Sequence, residues 1–226
     1  MTPVKRNAVI SAVVVAVFAV AVVVASLTLG TGATDPADAA EPDRGTASTT
    51  GLLVRADSHR LGQAGTGKAV LVEFLDFECE ACRAAYPVVE DLRTKYAGKV
   101  DFVVRYFPIP SHANAVNAAV AVEAAAQQGQ FEAMYKRMYD TQDQWGEQQD
   151  SKASVFRGFA QDLGLDMAAY DQAVADPATA ARVEKDRQDG LAVGVQGTPT
   201  FFLNGRQFKP ATVQEFEAQL DAAVNG

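Results

Sequence analysis

The 226-residue chain contains two cysteines, and they stand together as Cys79-Glu80-Ala81-Cys82. On a helix, residues so spaced lie one turn apart, close enough to pass a disulfide between themselves and a partner. The thiolate is the attacking species, and a helix N-terminus favours it because unpaired N–H groups and the macrodipole place about half a positive charge there. Cys79, first of the pair, is the expected nucleophile, and Cys82 the thiol that resolves the mixed disulfide. Two other readings use the same residues. A static bridge would close a tiny loop and stabilise little. A metal site would need His59 and His112 as further ligands, and neither shows the paired spacing of zinc ligands.

Such a pair needs a strand to deliver it and a helix to receive it. Lys68 closes a Gly-rich turn, and Ala69 to Leu75 is then a short, almost continuous apolar run, the pattern of a strand buried on both faces. From Ala81, the residues Ala84, Ala85, Val88, Val89 and Leu92 recur at helical spacing up to Tyr96, Ala97-Gly98 gives a stop signal, and Val100 to Phe107 reads as a second strand. Strand, helix and strand make a right-handed βαβ unit whose helix opens at the cysteines. From Ser111 to about Val193 the pattern is helical. Ala113 to Gln128 comes first, then Phe131, Met134, Tyr135 and Met138 at i, i+3, i+4 and i+7. Further starts are marked by Asp150 or Ser151, by Asp166, and by Asp176 with Pro177 at the first helical position. Pro199 to Leu203 reads as a strand, Asn204-Gly205 as a tight hairpin turn, Arg206 to Phe208 as its partner, and Val213 to Val224 as a closing helix.

Ala8 to Leu29 is twenty-two residues without a charge, roughly 33 Å as a helix against a bilayer core of about 30 Å. Lys5 and Arg6 precede it and no Lys or Arg follows until Arg44, so the positive-inside bias places residues 1–6 in the cytoplasm, an anchor at 7–29, and the rest outside a single-pass cell membrane protein. A cleaved signal peptide is the competing reading, with Ala37, Ala39 and Ala40 as small residues for cleavage. Residues 30–51 are too poor in large apolar side chains to fold and read as a flexible tether. All 28 acidic but 18 of the 20 basic residues lie beyond residue 29, an excess of acid that argues against a nucleic-acid partner.

The strand Val70-Leu71-Val72-Glu73-Phe74, the Cys79/Cys82 motif and Gly197-Thr198-Pro199-Thr200-Phe201 resemble the strand, redox motif and cis-proline loop of the thioredoxin superfamily. The long helical insertion resembles its DsbA-like branch. This resemblance, over about residues 52–226, implies an α/β thioredoxin-like fold with a helical insertion at about 113–193. It implies a protein thiol-disulfide oxidoreductase with no cofactor or metal beyond the redox-active Cys79–Cys82 disulfide. It implies a cis Pro199, with Thr198 facing Cys79 and Gly197 beside them, so that the loop offers backbone groups to an extended substrate peptide; the other reading is an ordinary trans turn. Glu73 takes the place of a buried acid that accepts or relays the proton of Cys82, and burial would raise its pKa towards neutrality; the other reading is a strand-end carboxylate facing water. His112 resembles a histidine that recurs near the redox helix in DsbA-like sequences and is a substrate-binding candidate, although a histidine at a helix start is commonly a cap.

The resemblance also implies exported cysteine-containing proteins as substrates and a quinone-linked membrane partner, DsbB-like or vitamin-K-epoxide-reductase-like. Asp76, Glu78 and Glu80 flank Cys79, and like charge would raise the pKa of its thiol and weaken it as an oxidant. The branch points to a disulfide-forming oxidase, and the local charge to a reductase or isomerase. A tethered peptide-binding or chaperone module with little redox activity is a third reading.

Overall fold

In β2 (Ala69–Leu75) the apolar run is buried along nearly its whole length, because the strand lies at the centre of a five-stranded sheet, between β1 (His59–Leu61) and β3 (Val100–Tyr106) on one side and β4 (Thr200–Leu203) and β5 (Arg206–Phe208) on the other, in the order β1-β3-β2-β4-β5. The structure, a computed structural model, describes residues 51–62 and 68–226. The anchor expected at 7–29 and all of the tether but Gly51 lie outside the described residues. Among those described, no helix is long and apolar enough to cross a membrane.

Helix α1 (Glu80–Lys95) carries the chain from β2 to β3 (Val100–Tyr106), which pairs with β2 in parallel, Leu71 opposite Phe102 and Leu75 opposite Tyr106. On the other side of β2, β4 (Thr200–Leu203) runs antiparallel with Phe201 opposite Glu73. The turn to β5 (Arg206–Phe208) places Asn204 at φ 48° and Gly205 at φ 83°, the two left-handed residues that a tight hairpin requires. One strand was not legible: β1 (His59–Leu61) adds antiparallel to the free edge of β3. Its three residues, His-Arg-Leu with only Leu61 buried, carry no alternation long enough to detect.

The insertion is a helical layer of α2 (Ala115–Ala126), α3 (Phe131–Asp140), α4 (Gln142–Trp145), α5 (Ala153–Asp162), α6 (Met167–Ala175) and α7 (Pro177–Ala192). Helix α2 is buried nearly all round because it packs on α3, α5, α6 and α7 at once; its many alanines let those neighbours approach closely. Asp166 caps α6 by accepting from the amides of Ala168 and Ala169, and Asp176 caps α7 through Ala178, with Pro177 at its first position. The start of α5 differs from expectation. Its N-cap is Lys152, whose amide is held by Asn114 Oδ1 at 2.8 Å, a long-range bond rather than a local cap. Helix α7 lies on the sheet where Gly190 offers no side chain; a Cβ there would meet the Phe107 ring at 2.7 Å. Helix α8 (Val213–Asn225) closes the domain, capped by Thr212 and burying Phe216 and Leu220.

Between α7 and the sheet sits a charged knot. Arg105 of β3, fully buried, pairs with Asp186 at 2.8 Å and Asp189 at 2.6 Å and donates to the carbonyls of Leu52 and Leu53 at 2.5 and 2.7 Å. Arg55 also pairs with Asp189. Residues 52–55, the start of the globular part, are thus fastened to β3 and α7 by charge and hydrogen bonds.

Candidate active site

Strand β2 ends at Leu75 and the chain turns once before α1, so that Cys79 becomes the N-cap residue of the helix, in extended conformation at φ −71° and ψ 120°. No side chain caps this end, so the first-turn amides are open to the sulfur. The thiol donates to the carbonyl of Thr198 at 3.4 Å. The Thr198–Pro199 peptide is cis, and the Thr198 hydroxyl is buried without a hydrogen-bond partner, free to donate to the sulfur once it ionises. The Cys79 pKa is lowered to about 5, above all by a hydrogen bond from the Cys82 thiol, against the opposing effect of burial, with further help from Thr198 and the amides of Cys82 and Ala81. Cys82, on the buried face of α1, has its pKa pushed well up, first by burial and then by its bond to Cys79 and the nearby charges of Glu73 and Cys79. The pair is unbridged here, one sulfur poised to ionise and the other to stay protonated.

Glu73 alternates with Leu71 and Leu75 along β2, and both leucines belong to the core that contains Cys82, so the carboxyl turns to the same face. It is 5% exposed. Burial, then the charges of Cys79 and Glu90, raise its pKa to about 8. A carboxyl raised in this way stabilises the fold fully below its ordinary pKa and loses that contribution as pH rises through about 8. Glu73→Gln should therefore gain stability over the wild type as the pH is taken from about 5 to about 9. Thermal melts across that range would show the gap widening; a constant gap would mean that the carboxyl is not buried and neutral.

The acidic flank of Cys79 does not act as expected. Asp76, buried, accepts from the amides of Glu78 at 2.8 Å and Ile109 at 2.9 Å and lies 2.7 Å from His112 Nδ1. Glu78, also buried, accepts from the amides of Asn114 at 2.6 Å and Glu147 at 3.1 Å. Glu80 projects into solvent. Two carboxylates are thus taken up by the helical layer and the third is exposed to water. The sulfur is governed instead by the thiol, hydroxyl and amide donors around it, and the inference from flanking charge to a raised Cys79 pKa is overturned.

Beside the sulfur pair runs a groove of about 840 Å³, walled by Ala85 and Val88 of α1, by the loop from Gly197 to Phe201, and by Phe208 and Phe216 across it. Cys79, Cys82, Glu73, Thr198 and Pro199 are brought together by these contacts, and Gly197, Thr198 and Pro199 line the groove. His112 faces Asp76 at the entry to the helical layer and, like the two cysteines, does not line the groove. His59 lies elsewhere, paired with Glu123 at 2.6 Å and stacked on Phe131. Two features had no sequence signal. Tyr86, Tyr135 and Tyr139 interlock with Phe77 as an aromatic wall near the centre, although helical periodicity marks such positions only as core. Gln142, buried, donates to the carbonyls of Phe77 at 2.6 Å and Cys79 at 3.0 Å, a link across 65 and 63 residues.

A protein-family model described as thioredoxin matches residues 56–222. Among solved structures, a thioredoxin-like oxidoreductase from Silicibacter pomeroyi is similar with TM-score 0.62 and 25% identity, covering 82% of this chain and 96% of that one. Alpha-DsbA1 of Wolbachia pipientis is similar with TM-score 0.68 and 19% identity over 79% and 96%, and BdbD of Bacillus subtilis with 0.65 and 18% over 75% and 94%. A Na(+)/H(+) antiporter NhaA 1 of Mycobacterium sp. (strain KMS) is 36% identical over 143 residues, 62% of this chain and 22% of that protein. The antiporter NhaA 1 of Salinispora arenicola is 33% identical over 179 residues, 77% and 26%. The chain spans about a quarter of the length of these curated relatives.

Proposed function

Because the chain belongs to the thioredoxin family, as a thiol-disulfide oxidoreductase of DsbA-like fold, we propose that it is a disulfide-forming oxidase of exported, cysteine-containing proteins. The observation that carries the direction of transfer is the stabilised Cys79 thiolate, held at about 5 by donors that its acidic neighbours do not offset. A disulfide whose attacked sulfur leaves readily as a thiolate is a strong oxidant, because its reduced form is the favoured one. The reductase and isomerase readings lean on the acidic flank, of which Asp76 and Glu78 are engaged by amides of residues 109, 114 and 147 and Glu80 is exposed to water.

In the forward reaction a substrate thiolate attacks Cys79 Sγ of the oxidised pair. A substrate–Cys79 disulfide forms, the Cys79–Cys82 bond breaks, and the electron pair leaves on Cys82 Sγ. Glu73, protonated near neutral pH at its raised pKa, supplies a proton to that sulfur in its buried site. A second substrate thiolate then attacks the substrate sulfur of the mixed disulfide, and Cys79 departs as the thiolate. The substrate has lost two electrons, and the enzyme holds them as a dithiol. Thr198 and Pro199, with Gly197 before them, give the extended substrate a backbone edge beside Cys79. Glu73→Gln should slow formation of the mixed disulfide, the step in which Cys82 leaves, by roughly a hundredfold, as followed by stopped-flow with a cysteine-containing peptide.

Reoxidation falls to a quinone-linked membrane protein, DsbB-like or vitamin-K-epoxide-reductase-like, and the anchor over 7–29 would keep the domain outside the cell membrane beside it. The deciding measurement is the reduction potential of Cys79/Cys82 in glutathione buffers. A value above about −200 mV is expected, and one below about −250 mV, in the range of reductases, would overturn the oxidase assignment.

A further inference from the structure

The helical layer that interrupts the domain meets the redox helix through side chains, Tyr86 against Tyr135 and Tyr139 and Arg93 with Glu132, and it also grips the backbone immediately before α1. Gln142, at the first position of α4, lies 3% exposed with its amide nitrogen directed at two carbonyls. That nitrogen carries two hydrogens, and each has an acceptor: Phe77 O at 2.6 Å and Cys79 O at 3.0 Å. The Cys79 carbonyl also accepts the amide of Arg83 at 3.1 Å, the first bond within α1. The peptide unit after Cys79 is thus fixed from inside the helix and from the layer above it. Between the two gripped carbonyls, Glu78 is held by the amides of Asn114 and Glu147, with Glu147 in the left-handed region at φ 58°.

Gln142 is itself held firmly. Trp145, buried, closes α4 with its ring edge-on to Phe156 at 4.8 Å. Gly146 donates to the Gln142 carbonyl at 2.7 Å, and a Cβ on Gly146 would meet that oxygen at 2.9 Å and the Gln142 side chain at 3.4 Å. The amides of Ala81 and Cys82, which help to lower the Cys79 pKa, face the sulfur from the first turn while Cys79 keeps its N-cap conformation. A carboxylate at position 142 would set oxygen against the same two carbonyls.

We propose that Gln142 is a positioning residue, the side chain through which the helical layer holds the Cys79 sulfur in register with the first-turn amides of α1. It touches neither sulfur nor substrate. Its effect passes through the backbone on either side of Glu78, and it makes the helical layer part of the redox centre's tuning. The inference rests on Cys79 being the attacked sulfur, but its test does not depend on the direction of electron flow.

Gln142→Met keeps the length of the side chain and removes both donors. Without them the thiolate should lose amide contacts, so the Cys79 pKa, read from ultraviolet thiolate absorbance, should rise by about one unit. A tenfold weaker thiolate corresponds to a reduction potential about 30 mV more negative. Melting of the reduced form should fall more than that of the oxidised form, because only the reduced form carries the thiolate; a merely structural role would lower both alike. Gly146→Ala, which displaces the α4 turn without touching the amide, should shift pKa and potential in the same direction by less, and it decides the matter if the methionine variant does not fold. Variants that fold with the wild-type pKa and potential overturn the inference. A wild-type potential in the reductase range would sink the oxidase reading and leave this comparison standing.

Discussion

Cys79→Ser is expected to abolish disulfide exchange, with the rate of peptide oxidation falling on the order of a thousandfold or more, because no other thiolate stands at the groove and a hydroxyl does not replace it. Cys82→Ser should behave differently. The Cys79 thiolate would still attack a peptide disulfide, capturing one of its sulfurs while the other leaves as a thiolate, but the mixed disulfide would persist for want of the buried resolving sulfur, and it should appear as a covalent adduct of enzyme and peptide in non-reducing gels and in the mass spectrum. The two outcomes follow from the asymmetry of the pair, with Cys79 lowered to about 5 and Cys82 driven well above its ordinary value. Should Cys79→Ser keep the protein's effect on its partners unchanged, the peptide-binding or chaperone reading would replace the enzymatic one.

The largest expected effect on stability belongs to Arg105. Arg105→Met would leave Asp186 and Asp189 buried beside an apolar side chain, and would strip the donor from the carbonyls of Leu52 and Leu53. Breaking a buried ion pair from one side costs about 3–5 kcal/mol, and in a domain of this size each kcal/mol moves the melting temperature by about 2–4 °C. A fall of roughly 10 °C or more is therefore expected, with the first loss of hydrogen-exchange protection at residues 52–55. A drop of only a degree or two would show that Arg55 and Arg182, which also meet these carboxylates, are sufficient without it.

How much of this was legible in the sequence depended on whether a feature is local. The buried strand, the helix opening at Cys79, the Asn204-Gly205 hairpin and the caps at Asp166 and Asp176 are short-range patterns, and each appears where its residues stand. The motif around Pro199 carried its message because two short, specific stretches recur in a fixed order. The acidic flank misled for a physical reason: a sequence gives the distance of a charge along the chain but not its direction, and Asp76 and Glu78 turn to amides from residues 109, 114 and 147. Gln142 was invisible because a buried glutamine in a helical pattern has no local signature; its meaning lies in two carbonyls more than sixty residues earlier. The same holds for β1, whose three residues become a strand only because β3 offers them an edge.

The far wall of the groove is built by Phe208 and Phe216, near the end of the chain, whereas the grip on the residues before Cys79 comes from its middle. If the groove receives substrate, this wall would bear on clientele and the inserted turn on voltage, while Thr198, which both lines the groove and helps to lower the Cys79 pKa, would bear on each.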